Sequence, residues 1–97
     1  MVFPVIDCWE IKFRPRAKKA FKKLPPDVQK RLYVFLKERV ARNSEPKQLA
    51  EKLTGEFSSY WRFRVGDYRV IVEFHDEIML VHIISVGHRK HVYKKAV

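Results

Sequence analysis

Between residues 59 and 86 the chain contains three short runs with strand character, separated by very short connections. Ser59 to Val65 and Tyr68 to Phe74 are joined by Gly66-Asp67, a pair that suits a compact turn. Glu77 to Val86 is the third run and is entered through His75-Asp76. Such short connections favour antiparallel neighbours. The pattern therefore predicts a three-stranded antiparallel β-meander.

The first half of the chain predicts one strand and a pair of helices. Cys8 to Phe13 alternates apolar and polar residues as a strand does. Pro15 to Leu24 and Pro26 to about Arg42 carry apolar residues at helical spacing, with two prolines between them, which predicts an α-helical hairpin. A short helix is expected from Lys47 to Leu53, before Gly55.

These elements predict an α+β fold in which an N-terminal strand, an α-helical hairpin and the β-meander form one sheet packed on the helices. At 97 residues the chain is expected to be a single domain over residues 1–97. It has no apolar run near the roughly 18 residues of a membrane span and no signal-peptide pattern at its start. The single cysteine allows no internal disulfide and fits a reducing compartment. We therefore expect a cytoplasmic protein without membrane contact.

Charge is the unusual part of the composition. Lys and Arg number 21 against 11 Asp and Glu, which gives a formal net charge of +10. A small domain this basic is typical of proteins that bind a polyanion, such as nucleic acid or an acidic protein. The alternative is a surface that charge merely keeps soluble.

The basic residues of the meander are expected to share one sheet face. Side chains alternate along a strand, so Arg62 and Arg64 lie together. A two-residue turn places Arg64 opposite Arg69, and like charges in that position destabilise the pair. A bound phosphate or an acidic partner would offset the repulsion, since guanidinium groups suit phosphate oxygens. Alternatively, the arginines reach solvent and pair with Glu73 and other surface acids.

A second basic cluster follows the last predicted strand. Arg89, Lys90 and His88 follow this strand, and the meander could bring them near the face with the arginines. His88 and His91 flank Arg89. Either histidine could transfer a proton near neutral pH. Tyr93 could stack on an unpaired base, which is a common feature of RNA recognition.

The histidines do not predict a metal centre. None of the four has a ligand spacing with Cys8 or with an acid. His75 is interpreted as turn surface, and His82 as a structural residue within a strand. No nucleophile elbow, paired-carboxylate site or glycine-rich phosphate loop is present in the sequence. We therefore expect no metal and no cofactor.

The order of elements and four local motifs resemble the RelE/ParE superfamily of bacterial and archaeal toxins, on the RelE side. The resemblance covers essentially the whole chain. Its motifs are Ala17 to Pro25, Lys52 to Gly55, Trp61 to Arg69, and Val86 to Arg89 with Tyr93 close behind. Each motif is moderately specific, and the four in order make the resemblance strong.

The resemblance implies a ribosome-dependent endoribonuclease that cuts mRNA in the A site without a metal, by attack of a 2′-OH on the adjacent phosphate. Arg62 and Arg64 take the places of two basic residues of the family. Arg69 takes the place of an arginine that holds the phosphate. Arg89 matches the arginine proposed to stabilise charge and protonate the leaving 5′-oxygen, and Tyr93 matches the tyrosine that stacks on the base.

The chain departs from the best-known members, which have lysines at the positions of Arg62 and Arg64. Arginine is effectively never deprotonated, so it is a poor general base. Proton abstraction is then left to His88, His91, the ribosome or solvent. The resemblance also implies a small acidic antitoxin as partner. Two alternatives stay open: a ParE-like inhibitor of DNA gyrase, whose relatives generally lack the tail arginine and tyrosine, and a non-catalytic RNA- or protein-binding module.

Overall fold

The protein, seen in a computed structural model that describes residues 8–91, is a five-stranded β-sheet with a helical hairpin against one of its faces. The regular elements are β1 (Glu10–Phe13), α1 (Pro15–Lys22), α2 (Pro26–Val34), β2 (Glu51–Lys52), β3 (Trp61–Val65), β4 (Tyr68–His75) and β5 (Leu80–His88). A wider, π-helical stretch continues α2 over Phe35–Val40. The α+β class and the helical hairpin are thus confirmed.

The strands lie in the order β1-β5-β4-β3-β2. β3, β4 and β5 are antiparallel neighbours, which confirms the predicted meander. β1 pairs with β5 in parallel, with Glu10 beside Leu80 and Phe13 beside Ile83. The chain between these two strands, which contains the helical hairpin and the other three strands, provides the long connection that a parallel pair requires. The sheet is therefore mixed, with the first strand at one edge.

The predicted helix from Lys47 to Leu53 is wrong. Pro46–Leu49 forms a single 3₁₀ turn, and β2 then pairs with β3 at the other edge of the sheet. Leu49 packs against the main core, whereas Leu53 packs with a separate apolar cluster. The four-residue spacing of the two leucines suggested one helical face, but the leucines serve opposite faces of the sheet.

Other boundaries shift by a few residues. The first strand begins at Glu10, because the N–H of Trp9 donates to the carbonyl of Ala41 at the end of the helical region. The last strand begins at Leu80, because a 3₁₀ turn ending in a left-handed Met79 (φ 51°) precedes it. The last strand also runs beyond the predicted end, to His88. The helical region stops at Val40, two residues before the predicted end.

The main core lies between the helices and one face of the sheet. Phe63 on β3 is fully buried and meets the rings of Phe35 and Phe74 at centroid distances of 5.4 and 6.0 Å. The other fully buried side chains of this core are Ala17, Leu32, Val40, Val70, Val72, Val81 and Ile83. Because strand side chains alternate, burial of Phe63 directs its neighbours on β3 to the opposite face.

That opposite face, called the outer face below, carries no helix among the described elements. Its small apolar centre consists of Ile71 and Ile84, with Leu53 and Tyr60 packed against them. A register shift between Ile71 and Val72 interrupts the β4–β5 ladder there. This apolar centre separates two polar groups of residues: arginines at one end of the outer face, and a glutamate with two histidines at the other.

Candidate functional site

The register of the β3–β4 hairpin brings three arginines together on the outer face. Gly66 and Asp67 form the two-residue turn, Val65 pairs with Tyr68, and Arg64 lies directly opposite Arg69, as predicted. Arg62 is two residues away from Arg64 on the same face. These three residues are called the arginine face.

Glu51 on β2 supplies the negative charge that this face requires. Its Oε1 lies 2.9 Å from Nη2 of Arg62 and 2.9 Å from Nε of Arg64, so one oxygen bridges two guanidinium groups. The hydrogen bond from Arg62 is the main cause that lowers the pKa of the Glu51 carboxyl. Desolvation opposes this effect in part, and the charges of Arg62, Arg64 and Arg69 lower the pKa further. The arginines thus pair with a surface acid of the chain itself, which is Glu51 and not Glu73.

Sequence reasoning missed Glu51 because it placed the residue in a helix. Strand β2 is two residues long, too short for an alternating pattern to be recognised. The pairing of β2 with β3 puts Glu51 directly opposite Arg62. Opposite charges in this position attract, but the pair can be recognised only once the register of the two strands is known.

Arg69 is held differently from the other two arginines. Its Nη1 donates to the carbonyl oxygens of Gly66 and Tyr68, both at 2.9 Å, which ties the guanidinium to the turn. Within residues 8–91, no carboxylate lies within ion-pairing distance of Arg69. Its charge is therefore available to an anion from outside.

The end of β5 brings Arg89 to the same turn. Gly87 pairs with Arg69, and the N–H of Arg89 donates to the carbonyl oxygen of Asp67 at 2.8 Å. The guanidinium Nε of Arg89 lies 3.9 Å from Oδ1 of Asp67, and both side chains are more than half exposed. The structure thus brings Arg89 next to the arginine face, as the sequence suggested.

His88 lies on the other side of the sheet. It pairs with Tyr68, and its ring meets the Tyr68 ring edge-on at 5.6 Å. Tyr68 packs against the main core, so alternation turns His88 away from Arg69. The ring of His91 is 6.1 Å from that of His88. Tyr93 lies outside the described residues.

A groove of about 510 Å³ opens beside the arginine face, between the helical region and the end of β3 that leads into the turn. Arg31, Arg39 and Arg64 contribute to its wall. The guanidinium of Arg31 lies against Gly66, a residue with a left-handed φ of 61°. Within the described part of the chain, neither Arg31 nor Arg39 has an ion pair. The sequence did not predict a role for these two arginines, because no function was assigned to the polar side of the second helix.

The combined arrangement is suited to binding a phosphodiester. Guanidinium groups donate paired hydrogen bonds to phosphate oxygens and retain their charge at any physiological pH. Five of them, Arg31, Arg39, Arg64, Arg69 and Arg89, lie around one hairpin turn. A carboxylate with a lowered pKa, Glu51, is the acidic group in contact with the arginine face.

None of the helices within residues 8–91 is long and apolar enough to cross a bilayer. Residues 11–93 match the sequence profile of a family described as "ParE toxin of type II toxin-antitoxin system, parDE". No curated protein sequence matches the chain.

Solved structures show the same fold. A chain of the toxin-antitoxin complex RelBE2 from Mycobacterium tuberculosis is 26% identical, with a TM-score of 0.78 over 87% of this chain and 94% of that chain. A double arginine-to-alanine mutant of the E. coli toxin RelE in its free state is 28% identical, with a TM-score of 0.70 over 92% and 94%. A chain of the RelE–RelB complex from Pyrococcus horikoshii shares the fold at 23% identity, with a TM-score of 0.65 over 84% and 96%.

Proposed function

Because this chain belongs to the ParE toxin family, within the RelE/ParE toxin superfamily, we propose that it is a ribosome-dependent endoribonuclease that cleaves mRNA in the A site and so stops translation. The observation that carries the proposal is that the end of β5 brings Arg89 next to the arginine face, at the turn beside Arg69. Arg64 facing Arg69 does not stabilise a β-hairpin, because like charges repel. The same two guanidinium groups would stabilise the negative charge of a bound phosphodiester.

In the proposed reaction the 2′-oxygen of the messenger bonds to phosphorus, and the bond from phosphorus to the 5′-oxygen breaks. The 2′-OH loses a proton and the 5′-oxygen gains one, which leaves a 2′,3′-cyclic phosphate and a 5′-OH. Arg62, Arg64 and Arg69 would hold the phosphate oxygens as negative charge develops on them. Arg89 would stabilise the charge on the leaving oxygen, and Tyr93 would stack on the neighbouring base.

The Glu51 carboxylate must move away from Arg62 and Arg64 when the phosphate binds. Its Oε1 occupies Nη2 of Arg62 and Nε of Arg64, the same donors that a phosphate oxygen would use. We propose that the 2′ proton leaves to the ribosome or to solvent. The arginine face offers only guanidinium groups, and the lowered pKa of Glu51 makes its carboxylate a weak base.

The proposed partners are a small acidic antitoxin, the ribosome and mRNA, all within the cytoplasm. The similar structures from M. tuberculosis and P. horikoshii are toxin-antitoxin complexes. A net charge of +10 favours fast, salt-sensitive association with an acidic chain or with RNA. One polyanion-binding surface would then serve both target and inhibitor.

The test is a coupled transcription–translation extract in which a reporter message is mapped by primer extension. The wild-type protein should produce new 5′ ends within the translated frame, and Arg89→Ala should lose at least about a hundredfold in cleavage rate, as removal of a charge-stabilising donor does elsewhere. Arg16→Ala is the matched control, because Arg16 is exposed on α1, away from the arginine face, and its loss changes the net charge equally. Equal cleavage by wild type, Arg89→Ala and Arg16→Ala would refute the assigned site.

A second candidate function, inhibition of DNA gyrase, is favoured by the description of the matching family as ParE toxins. Gyrase-linked DNA breaks and induction of a DNA-damage reporter, both insensitive to Arg89→Ala, would support it in place of mRNA cleavage. Tight, salt-dependent RNA binding without cleavage would instead indicate a non-catalytic binding module.

A further inference from the structure

A second polar cluster lies at the other end of the outer face, beyond Ile71 and Ile84. Glu73 and His75 are two residues apart on β4, and His82 on β5 lies directly opposite Glu73. The Oε1 of Glu73 is 3.4 Å from Nε2 of His75 and 3.9 Å from Nδ1 of His82. One ligand atom from each residue lies within 4.8 Å of the other two. The three side chains therefore converge on one point above the sheet.

We propose that Glu73, His75 and His82 form a zinc-binding site. Two imidazole nitrogens and one carboxylate oxygen are ligands that Zn²⁺ prefers, whereas Mg²⁺ and Ca²⁺ prefer oxygen. With bonds of about 2.1 Å, tetrahedral ligand atoms lie roughly 3.4 Å apart. The Glu73–His75 distance already has this value, and small side-chain rotations close the other two distances. Three protein ligands leave the fourth position to water, as in open zinc sites.

The lysine that sheet register places beside the cluster is paired with an acid. The nearest lysine along the sheet is Lys12, which pairs with His82 in register on β1, but its amine is directed toward Glu10 at 4.0 Å. Glu73 and His82 are about one-third exposed, so water competes less than at an open surface. The arginine face begins at Arg69, roughly 13 Å away along β4 at the usual rise of a strand.

The sequence did not predict this cluster, because the residues come together through the pairing of β4 with β5 and not through their spacing along the chain. Six residues separate His75 from His82, and a 3₁₀ turn with a left-handed Met79 lies between them. A metal ion bound there would join β4 to β5 just before that turn. The proposed role is structural reinforcement of the hairpin, independent of RNA cleavage.

The experiment is titration of the untagged protein with ZnCl₂ by isothermal calorimetry, followed by Co²⁺ substitution and visible absorption spectroscopy. Wild type should bind one equivalent of zinc, and its Co²⁺ form should lack the intense thiolate band that coordination by Cys8 would produce. His82→Ala should weaken binding by more than the about 10- to 100-fold that loss of an outer-shell partner costs. Glu73→Gln, which keeps the shape of the side chain, should also weaken it.

The matched control is the double variant His88→Ala/His91→Ala, because those two rings form the other histidine pair of the described chain, 6.1 Å apart. It should bind zinc as tightly as wild type. The proposal is overturned if wild type shows no saturable binding, or if folded His82→Ala and Glu73→Gln both bind zinc as tightly as wild type. Far-ultraviolet circular dichroism of each metal-free variant establishes that it is folded, and Glu73→Gln provides the decision if His82→Ala is not.

Discussion

Gly66 supports the arginine face through its backbone conformation, and Gly66→Ala tests this directly. Its φ of 61° lies in the left-handed region, which costs an alanine about 1–2 kcal/mol. Replacing glycine also restricts the unfolded chain, which returns about 0.4–1 kcal/mol. The net loss from conformation is then about 1 kcal/mol. In addition, the new Cβ would lie 2.9 Å from Nη1 and 3.1 Å from Cζ of Arg31, so that side chain must move.

Gly55→Ala is the matched control. Its φ of 67° carries the same conformational cost, but a Cβ at Gly55 meets no atom within 4 Å. Urea unfolding should therefore show a loss of about 1 kcal/mol for Gly55→Ala and only a slightly larger loss for Gly66→Ala, because the displaced guanidinium is the end of a flexible side chain. The excess should disappear when both alanines are compared in an Arg31→Ala background, because the displaced group is then absent.

Two results would refute this reasoning. A stabilising Gly66→Ala would mean that the turn does not hold Gly66 in the left-handed region. An excess over Gly55→Ala that persists in the Arg31→Ala background would mean that another contact, and not Arg31, opposes the added methyl group. Equal m-values among the variants are required, since a changed m-value would indicate a change in the unfolded or native ensemble.

Further outcomes concern charge and packing. Glu51→Gln should strengthen binding of single-stranded RNA, because it frees Arg62 and Arg64 for phosphate contacts. The slope of log affinity against log salt concentration should become more negative by up to about 0.7, the value for one phosphate contact. Fluorescence anisotropy at several salt concentrations will measure this slope, and the exposed control Glu56→Gln should leave it unchanged. Because the pKa of Glu51 is lowered from 4.5 in the folded protein, its contribution to stability is present at neutral pH and is lost as the pH falls through the folded value, so unfolding of Glu51→Gln should depend less steeply on acid pH. Phe63→Ala should cost about 3–5 kcal/mol in urea unfolding because the side chain is fully buried, whereas Ile78→Ala, at 68% exposure, should change stability by less than about 0.5 kcal/mol.

Local pattern was sufficient for the hairpin that carries the arginine face. Alternation in β3 and β4, with Gly66-Asp67 between them, predicted that Arg64 faces Arg69, and the register has that pair. Turn length and side-chain alternation determine such a register, and both can be read from neighbouring residues. The helical hairpin was predictable for the same reason, because each helix has its own apolar stripe and proline boundary.

Features that depend on contacts between distant segments were not predictable. Strand β2 forms through its pairing with β3, and its own two residues carry no strand pattern. The sequence therefore assigned Glu51 to a helix and did not predict its ion pair with Arg62. The sequence allowed His88 to lie near the arginine face together with Arg89, but its pairing with Tyr68 places it on the core side of the sheet. In both cases tertiary pairing prevailed over local pattern.

The late position of β5 in the chain determines when during synthesis Arg89 can join the arginine face. β1 is made first, but its neighbour in the sheet is the last described strand to be made. Until β5 has emerged, β1 has no strand beside it, Arg69 has no Gly87 opposite, and Arg89 cannot reach the turn at Asp67. Pairings between such distant segments also form slowly. A growing copy of this protein therefore presents no finished anion-binding surface to the ribosome that is making it.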